Sequence, residues 1–238
     1  MAQSPAPDAG RLSETAGRYL EAIYYIVHEG EVARPGGLAD WLGVSRPTVT
    51  VTLQRLARGG WVEVAGDRSI NLTAAGEAAA SHVVRRHRIL ERWLVDVLGL
   101  DWAAGDREAS LLVHGLSEVV VERLDVHLDR PLTCPHGNPI PGSGAQPEPA
   151  TVLAKAKVGD RVRLSRMMEL VEFDLNALVY LEQHGFIPGC QATVVARGPD
   201  GSLVLEVGED NVVLGASLAA LLFVAPATAL VPPGPSGA

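Results

Sequence analysis

The chain has 238 residues, 47% of them apolar and 20% charged, with two cysteines and a formal net charge of −8. That composition fits a folded protein of one large or two to three small domains. It excludes a disordered chain and a disulfide-stapled scaffold, and no apolar run approaches the length of a membrane span. The acidic sum argues against nucleic acid as a partner, but the charges are unevenly spread. From Leu38 to Thr73 four arginines stand against three acids, and from Ala74 to Trp93 four arginines stand against two. The first third can therefore face DNA on an otherwise acidic protein.

The start, "MAQSPAPDAG", lacks the basic end and apolar core of a signal peptide and reads as a loose tail, as does "VPPGPSGA" at the other end. With two cysteines and no leader, the expected compartment is a reducing cytoplasm. "SETAGRYLEAIYYIVHEG" repeats its apolar residues at helical spacing, with Ser13 as cap and Gly30 as terminator. "GGLADWLGVS" predicts a short helix ending at Gly43. Ser45 then caps a third helix with Pro47 in its first turn, where a missing N–H costs nothing. Val49, Leu53 and Leu56 form its core stripe. "GGWVEVAGDRSINLTAAG" alternates around "GDR" and predicts a β-hairpin.

Helix, short helix, turn, capped helix and hairpin, in that order, are the layout of a winged helix-turn-helix. From Ala74 a long helix is expected to about Leu98, followed by helices over "GDREASLLVHG" and "SEVVVERLDVHL", the latter capped by Ser117. The last has more apolar positions than one helix pair covers, which predicts a homodimer interface. "RPLTCPHGNPIPGSGAQPEPA" is loop and linker. From Thr151, short strands with Gly-centred turns, interrupted by the helix "FDLNALVYLEQHG", predict a small β-barrel. The fold class is thus mainly α with small β parts. The expected domains are a winged helix at 1–74 (tail 1–11), a helical dimerisation domain at 75–142, a linker at 143–150, an SH3-like, FeoA-like barrel at 151–228 and a tail at 229–238.

The stretches "YLEAIYYI", "SRPTVTVTLQRLARGGWV", "GDRSINLT", "RRHRILERWLVDVLGLD" and "TCPHGNPIPG", with this order of parts, resemble the diphtheria-toxin-repressor family of metal-dependent regulators. The barrel resembles the family's C-terminal SH3-like domain more weakly. The resemblance implies a homodimeric repressor that grips a palindromic double-stranded DNA operator more tightly when divalent metal binds. It also implies control of genes for metal uptake or storage.

The helix beginning at Ser45 then matches the recognition helix, whose open N–H groups suit phosphate oxygens. Pro47, Val51, Gln54 and Arg58 lie opposite the core stripe. Arg46 and Thr48 flank the tip and suit phosphates, Gln54 a base edge, and Arg68 at the hairpin tip a backbone or minor groove. Val51 can offer only an apolar contact, such as to a thymine methyl. The family usually carries a glutamine or another polar reader there, so the operator sequence stays open.

His87 and Glu91 are at i and i+4 on one helical face, a spacing by which imidazole and carboxylate can share an ion. By resemblance they belong to the family's ancillary metal site, with Asp106 in place of the usual histidine and Glu169 and Glu172 from "ELVE". One nitrogen and four carboxylates form a hard set suited to Mn²⁺ or Fe²⁺. The family's primary site maps onto Arg18, Ser110, Val113 and His114, of which only the histidine is a ligand, with Glu21 matching an acid of the manganese-responsive branch. The Arg18 guanidinium is expected either to lie where the metal would be, bridging to Glu21 or to the helix bearing His114, or to point into solvent. The arginines of "RRHRILER" are expected to form a solvated or phosphate-facing shell, and Cys134 and His136 a structural loop without metal. Other readings are a regulator on the same fold that is metal-independent or answers another ligand, a sensor of small organic molecules, and a metal hydrolase on His87, Glu91 and Asp106. The hydrolase lacks any accompanying nucleophile or base motif.

Overall fold

The computed structural model describes residues 12–146, 148–171 and 174–227. The expected tails at 1–11 and 229–238 and the candidate ligand Glu172 lie outside the described residues. Contacts divide the chain into two compact units, each drawing on separated segments. None of the described helices is long and apolar enough to cross a membrane.

The first unit comprises Met1–Trp93, Glu108–Pro131 and Ile140–Gly144. Helix α1 (Glu14–His28) starts where Ser13 Oγ accepts from Ala16 N at 3.3 Å, and α2 (Pro35–Leu42) stops at Gly43 with φ 64°. Ser45 caps α3 (Arg46–Arg58) through Thr48 N. Strands β1 (Val62–Val64) and β2 (Ile70–Leu72) pair antiparallel as the wing, in the register Val62↔Leu72 to Val64↔Ile70. Leu20, Ile23, Leu38, Val49, Leu53, Leu56 and Ile70, all nearly inaccessible to water, form the shared core. Each such side chain contributes on the order of 1.5–3 kcal/mol by leaving water. The predicted winged helix-turn-helix is therefore present.

Helix α4 (Ala74–Asp96) leads out of the wing, and Thr73 Oγ1 accepts from Gly76 N at 3.0 Å to begin it. Helices α5 (Trp102–Leu112) and α6 (Glu118–His127) follow, the latter capped by Ser117 as expected. Ile89, Val121 and Ile140 make a small separate core in this unit. Leu111, Leu112, Val119, Val120 and Val126 stay exposed on these helices, an apolar surface of the kind that a dimer interface covers.

The second unit comprises Leu94–Arg107, Leu132–Pro139 and Ala145–Ala238. Strands β3 (Thr151–Val152), β4 (Arg161–Met167), β5 (Gln191–Arg197), β6 (Leu203–Val207), β7 (Asp210–Leu214) and β8 (Leu222–Pro226) form one antiparallel sheet in the order β3-β8-β4-β5-β6-β7. Helix α7 (Leu175–Gln183), capped by Asp174, and the short α8 (Ala216–Ala219) complete this SH3-like unit. Its core contains Leu164, Val194, Leu205, Leu214, Leu178 and Phe186, and Trp102 joins them. Helix α5 begins three residues before the expected "GDREASLLVHG". Asp101 Oδ1 accepts from Ala104 N at 2.7 Å, and the Glu182 carboxylate accepts from Trp102 N at 3.2 Å. These acceptors satisfy first-turn N–H groups that would otherwise be orphaned.

Candidate nucleic-acid interface and metal centre

The α3 surface divides as its spacing predicts. Val49, Thr52, Leu53 and Leu56 are buried, while Ser45, Arg46, Pro47, Thr48, Val51, Gln54 and Arg58 are exposed. Val51 is 58% exposed, so this apolar side chain projects from the middle of the helix instead of serving the core. The Ser45 and Thr48 hydroxyls lie 2.8 Å apart, and Arg58 Nε donates to Gln54 O at 3.3 Å. Across from α3 the wing carries Arg68, exposed at its tip. An open groove of ≈ 800 Å³ runs between them, lined by Arg34, Gly37, Arg46, Gln54 and Arg68 among others. Three guanidiniums around one concave surface give it the sign that phosphate requires.

Glu21 is half-buried on α1. Its Oε1 accepts from Tyr25 Oη at 3.1 Å and lies 3.4 Å from His87 Nδ1. His114 rests against α1 at Gly17, where an added Cβ would meet its Cε1 at 3.0 Å. Arg18 is exposed and makes no hydrogen bond or ion pair among the described residues. Among the described residues no bridge joins Arg18 to Glu21, and the Arg18 side chain lies exposed. Of the remaining primary-site positions, Ser110 is exposed and Val113 is buried.

The shell of arginines expected from "RRHRILER" needs correcting. Arg85 Nη2 donates to Asp125 Oδ2 at 2.7 Å and Nη1 to Pro141 O at 3.2 Å. Arg86 donates to Glu118 Oε1 at 2.9 Å, to Val113 O at 3.0 Å and to Leu116 O. Arg88 is buried, its guanidinium carbon 5.4 Å from the centre of the Tyr25 ring. These cations tie helix ends and loop carbonyls together, and Arg86 answers the exposed carbonyls after α5.

The reading of "TCPHGNPIPG" as a loop without metal also changes. Glu91, Cys134 and His136 are all buried and offer a carboxylate oxygen, a sulfur and an imidazole nitrogen within 4.8 Å of one another. Asp106 is half-buried on α5, and Glu169 is buried at the start of a 3₁₀ turn, Glu169–Val171. Neither belongs to that group, nor does His87. The Cys134 loop is built tightly. Cys134 N donates to Asn138 O at 2.9 Å, Gly137 N to Cys134 O at 3.0 Å, and Met167 N on β4 to His136 O at 3.0 Å. The His136 ring stands edge-on to Trp102, with centroids 4.9 Å apart. Gly137 has φ 86°, and any Cβ there would run into the Ser165 carbonyl. Both features demand glycine at that position. A carboxylate, a thiolate and an imidazole are all ligands of divalent transition metals, so the residues present fit such an ion.

Residues 11–70 match the description "Iron dependent repressor, N-terminal DNA binding domain", 73–142 "Iron dependent repressor, metal binding and dimerisation domain", and 151–226 "FeoA domain". The iron-dependent repressor IdeR of Mycobacterium tuberculosis is 37% identical over 214 residues, spanning 85% of this chain and 93% of that protein. The diphtheria toxin repressor of Corynebacterium diphtheriae is 32% identical over 204 residues, spanning 82% and 89%. Among solved structures, a manganese-dependent transcriptional repressor in complex with manganese superposes with a TM-score of 0.73 at 29% identity, covering 87% of this chain and 100% of that one.

Proposed function

Because this chain belongs to the iron-dependent repressor (diphtheria toxin repressor) family of DNA-binding, metal-dependent regulators, which are not enzymes, we propose that it represses metal-homeostasis genes. It acts as a cytoplasmic homodimer on a palindromic operator. The observation that carries the metal part is the grouping of Glu91, Cys134 and His136.

These three residues would hold the ion, which supplies a fixed divalent charge. The family's ancillary set, as the resemblance implies it, also counts His87, one helical turn before Glu91, with Asp106, Glu169 and Glu172. A set with sulfur and nitrogen is softer than one of carboxylates. It suits Fe²⁺ and the later divalent metals better than Mn²⁺. The primary site is degenerate in this reading: Arg18, Ser110 and Val113 supply no strong ligand, and His114 with Glu21 is its remnant.

Ser45, Arg46, Thr48, Arg58 and Arg68 contact phosphates, Gln54 a base edge, and Pro47 and Val51 apolar edges. The support is their exposure on one face of α3 and at the wing tip. Gel-shift titration against duplexes selected by the protein from a random library, with chelator and with Fe²⁺, Co²⁺ or Mn²⁺, tests the whole. Restoration of binding by metal supports it. Full binding in chelator overturns the metal part and favours the metal-independent regulator. That second reading rests on the same three overwritten positions.

A further inference from the structure

The wing tip holds an arginine in a conformation that suits glycine. Arg68 N donates to Ala65 O at 3.0 Å and Ala65 N to Ser69 O at 2.9 Å, which closes a three-residue turn, Gly66-Asp67-Arg68. Arg68 takes φ 69°. Turns of this form place glycine at that position, because a Cβ there crowds the backbone at a cost of about 1 kcal/mol or more. An arginine there offers a cationic side chain that glycine cannot, at the exposed tip of the wing.

Two neighbours fix the turn. Asp67 Oδ1 accepts from Ser69 N at 3.0 Å and from Ser69 Oγ at 2.7 Å, an Asx turn that holds the residue after Arg68. These bonds, with help from Arg34, keep the Asp67 carboxyl below its usual range and hence charged. Arg34, at the N-cap of α2, donates from Nη1 to Asp67 O at 2.7 Å, and its Nη2 lies 3.5 Å from Asp67 Oδ2. The strand beyond is tied to the same spot, since Ile70 N donates to Ala33 O at 2.9 Å. A carboxylate on a DNA-facing wing repels phosphate, so a binding surface gains nothing from Asp67 as a contact. It gains from Asp67 as an anchor.

We propose that Arg34 and Asp67 are positioning residues that clamp the wing to the start of α2 and aim Arg68 at the nucleic-acid backbone. This rests on the reading of Arg68 as a DNA contact.

The test uses the full-length protein and a duplex selected from a random library by the wild type. Affinity and its salt dependence are measured for Arg68→Ala, Arg68→Gly, Arg34→Ala, Asp67→Ala and Asp67→Asn, and for the first combined with each clamp variant. Arg68→Ala should weaken binding and flatten the salt slope by about one. Arg34→Ala and Asp67→Ala should each weaken it by roughly fivefold, the scale of one exposed ion-pair network. Both should have almost no further effect once Arg68 is alanine. Arg68→Gly should bind as poorly as Arg68→Ala yet melt no lower than the wild type. Asp67→Asn keeps the turn and should lose less than Asp67→Ala.

Tighter binding by Asp67→Ala would sink the proposal, since the acid would then be a mere repulsive charge. So would a full effect of Arg34→Ala in the Arg68→Ala background, since Arg34 would then touch phosphate itself. If Arg68→Ala is silent, the DNA reading of Arg68 fails by itself. Hydrogen exchange of the wing amides then judges the clamp alone: faster exchange in Arg34→Ala keeps it, and unchanged exchange overturns it.

Discussion

The Glu21 carboxylate on α1 lies 3.4 Å from Nδ1 of His87 on α4, with side chains only 15% and 7% exposed. A helix of the DNA-binding layer is thus joined to the helix that carries "RRHRILER". Tyr25 adds its hydroxyl to the same carboxylate at 3.1 Å. Glu21→Ala removes the shared acceptor and should cost about 1–3 kcal/mol, the penalty of a buried polar group losing a partner. Glu21→Gln keeps an acceptor for Tyr25 and should cost less. Urea denaturation of the two variants checks the order; equal stability of Glu21→Ala and wild type would show that the pair holds nothing.

The Arg85–Asp125 pair makes a sharper prediction about folding. Asp125 has a side chain 4% exposed, and Arg85 is its close partner at 2.7 Å. Arg85→Ala leaves a buried carboxylate uncompensated and should destabilise by about 3–5 kcal/mol. Arg85→Ala with Asp125→Ala removes the stranded charge and should recover part of that loss. Additive losses in this double-mutant cycle would show that the two side chains do not interact.

Metal binding can be read from Cys134 without any DNA. Co²⁺ bound to a thiolate absorbs in the near ultraviolet, so titration with Co²⁺ should raise a band that Cys134→Ser abolishes. Affinity should fall by at least about tenfold in Cys134→Ser and His136→Ala. Burial pushes the Cys190 thiol up from its ordinary pKa, so it labels slowly near neutral pH. Protection from alkylation by Co²⁺ should therefore report Cys134 in a Cys190→Ser background. Gly137→Ala should weaken the metal as well, through the collision with the Ser165 carbonyl. A Co²⁺ band surviving in Cys134→Ser assigns the ion elsewhere.

Val51 predicts an altered operator code. Glutamine there can pair with the N6 and N7 edge of adenine, worth about 1–3 kcal/mol of discrimination. Selection from random duplexes with Val51→Gln should therefore enrich adenine at one position in each half-site where the wild type tolerates or prefers thymine. Identical enrichment for both proteins would remove Val51 from the interface.

Much of this was legible in the chain. Ser13, Ser45 and Ser117 each signalled a helix start through a hydroxyl that accepts from the first turn, and the α3 stripe followed from spacing alone. Those signals are local, and local rules read them. Glu21 with His87 was not legible, because 65 intervening residues separate groups that only packing joins. Cys134 and His136, two apart in a proline-rich loop, carry no helical or strand periodicity, and the third member, Glu91, sits more than forty residues earlier. The arginines misled for another reason. A charged residue on a long helix is usually solvated, and nothing local showed that carbonyls after α5 and the Asp125 carboxylate would need them.

Burying Trp102 in the sheet's core makes that unit discontinuous along the gene. Residues 151–226 match as a module, yet the indole at 5% exposure and the N–H that Glu182 accepts both come from fifty residues upstream. A fragment cut at the module's edge would carry a void the size of that side chain, a loss of about 3–5 kcal/mol. It should expose apolar surface and melt lower than a fragment supplied with the 94–107 peptide. Transplanting residues 151–226 alone should therefore leave this core incomplete.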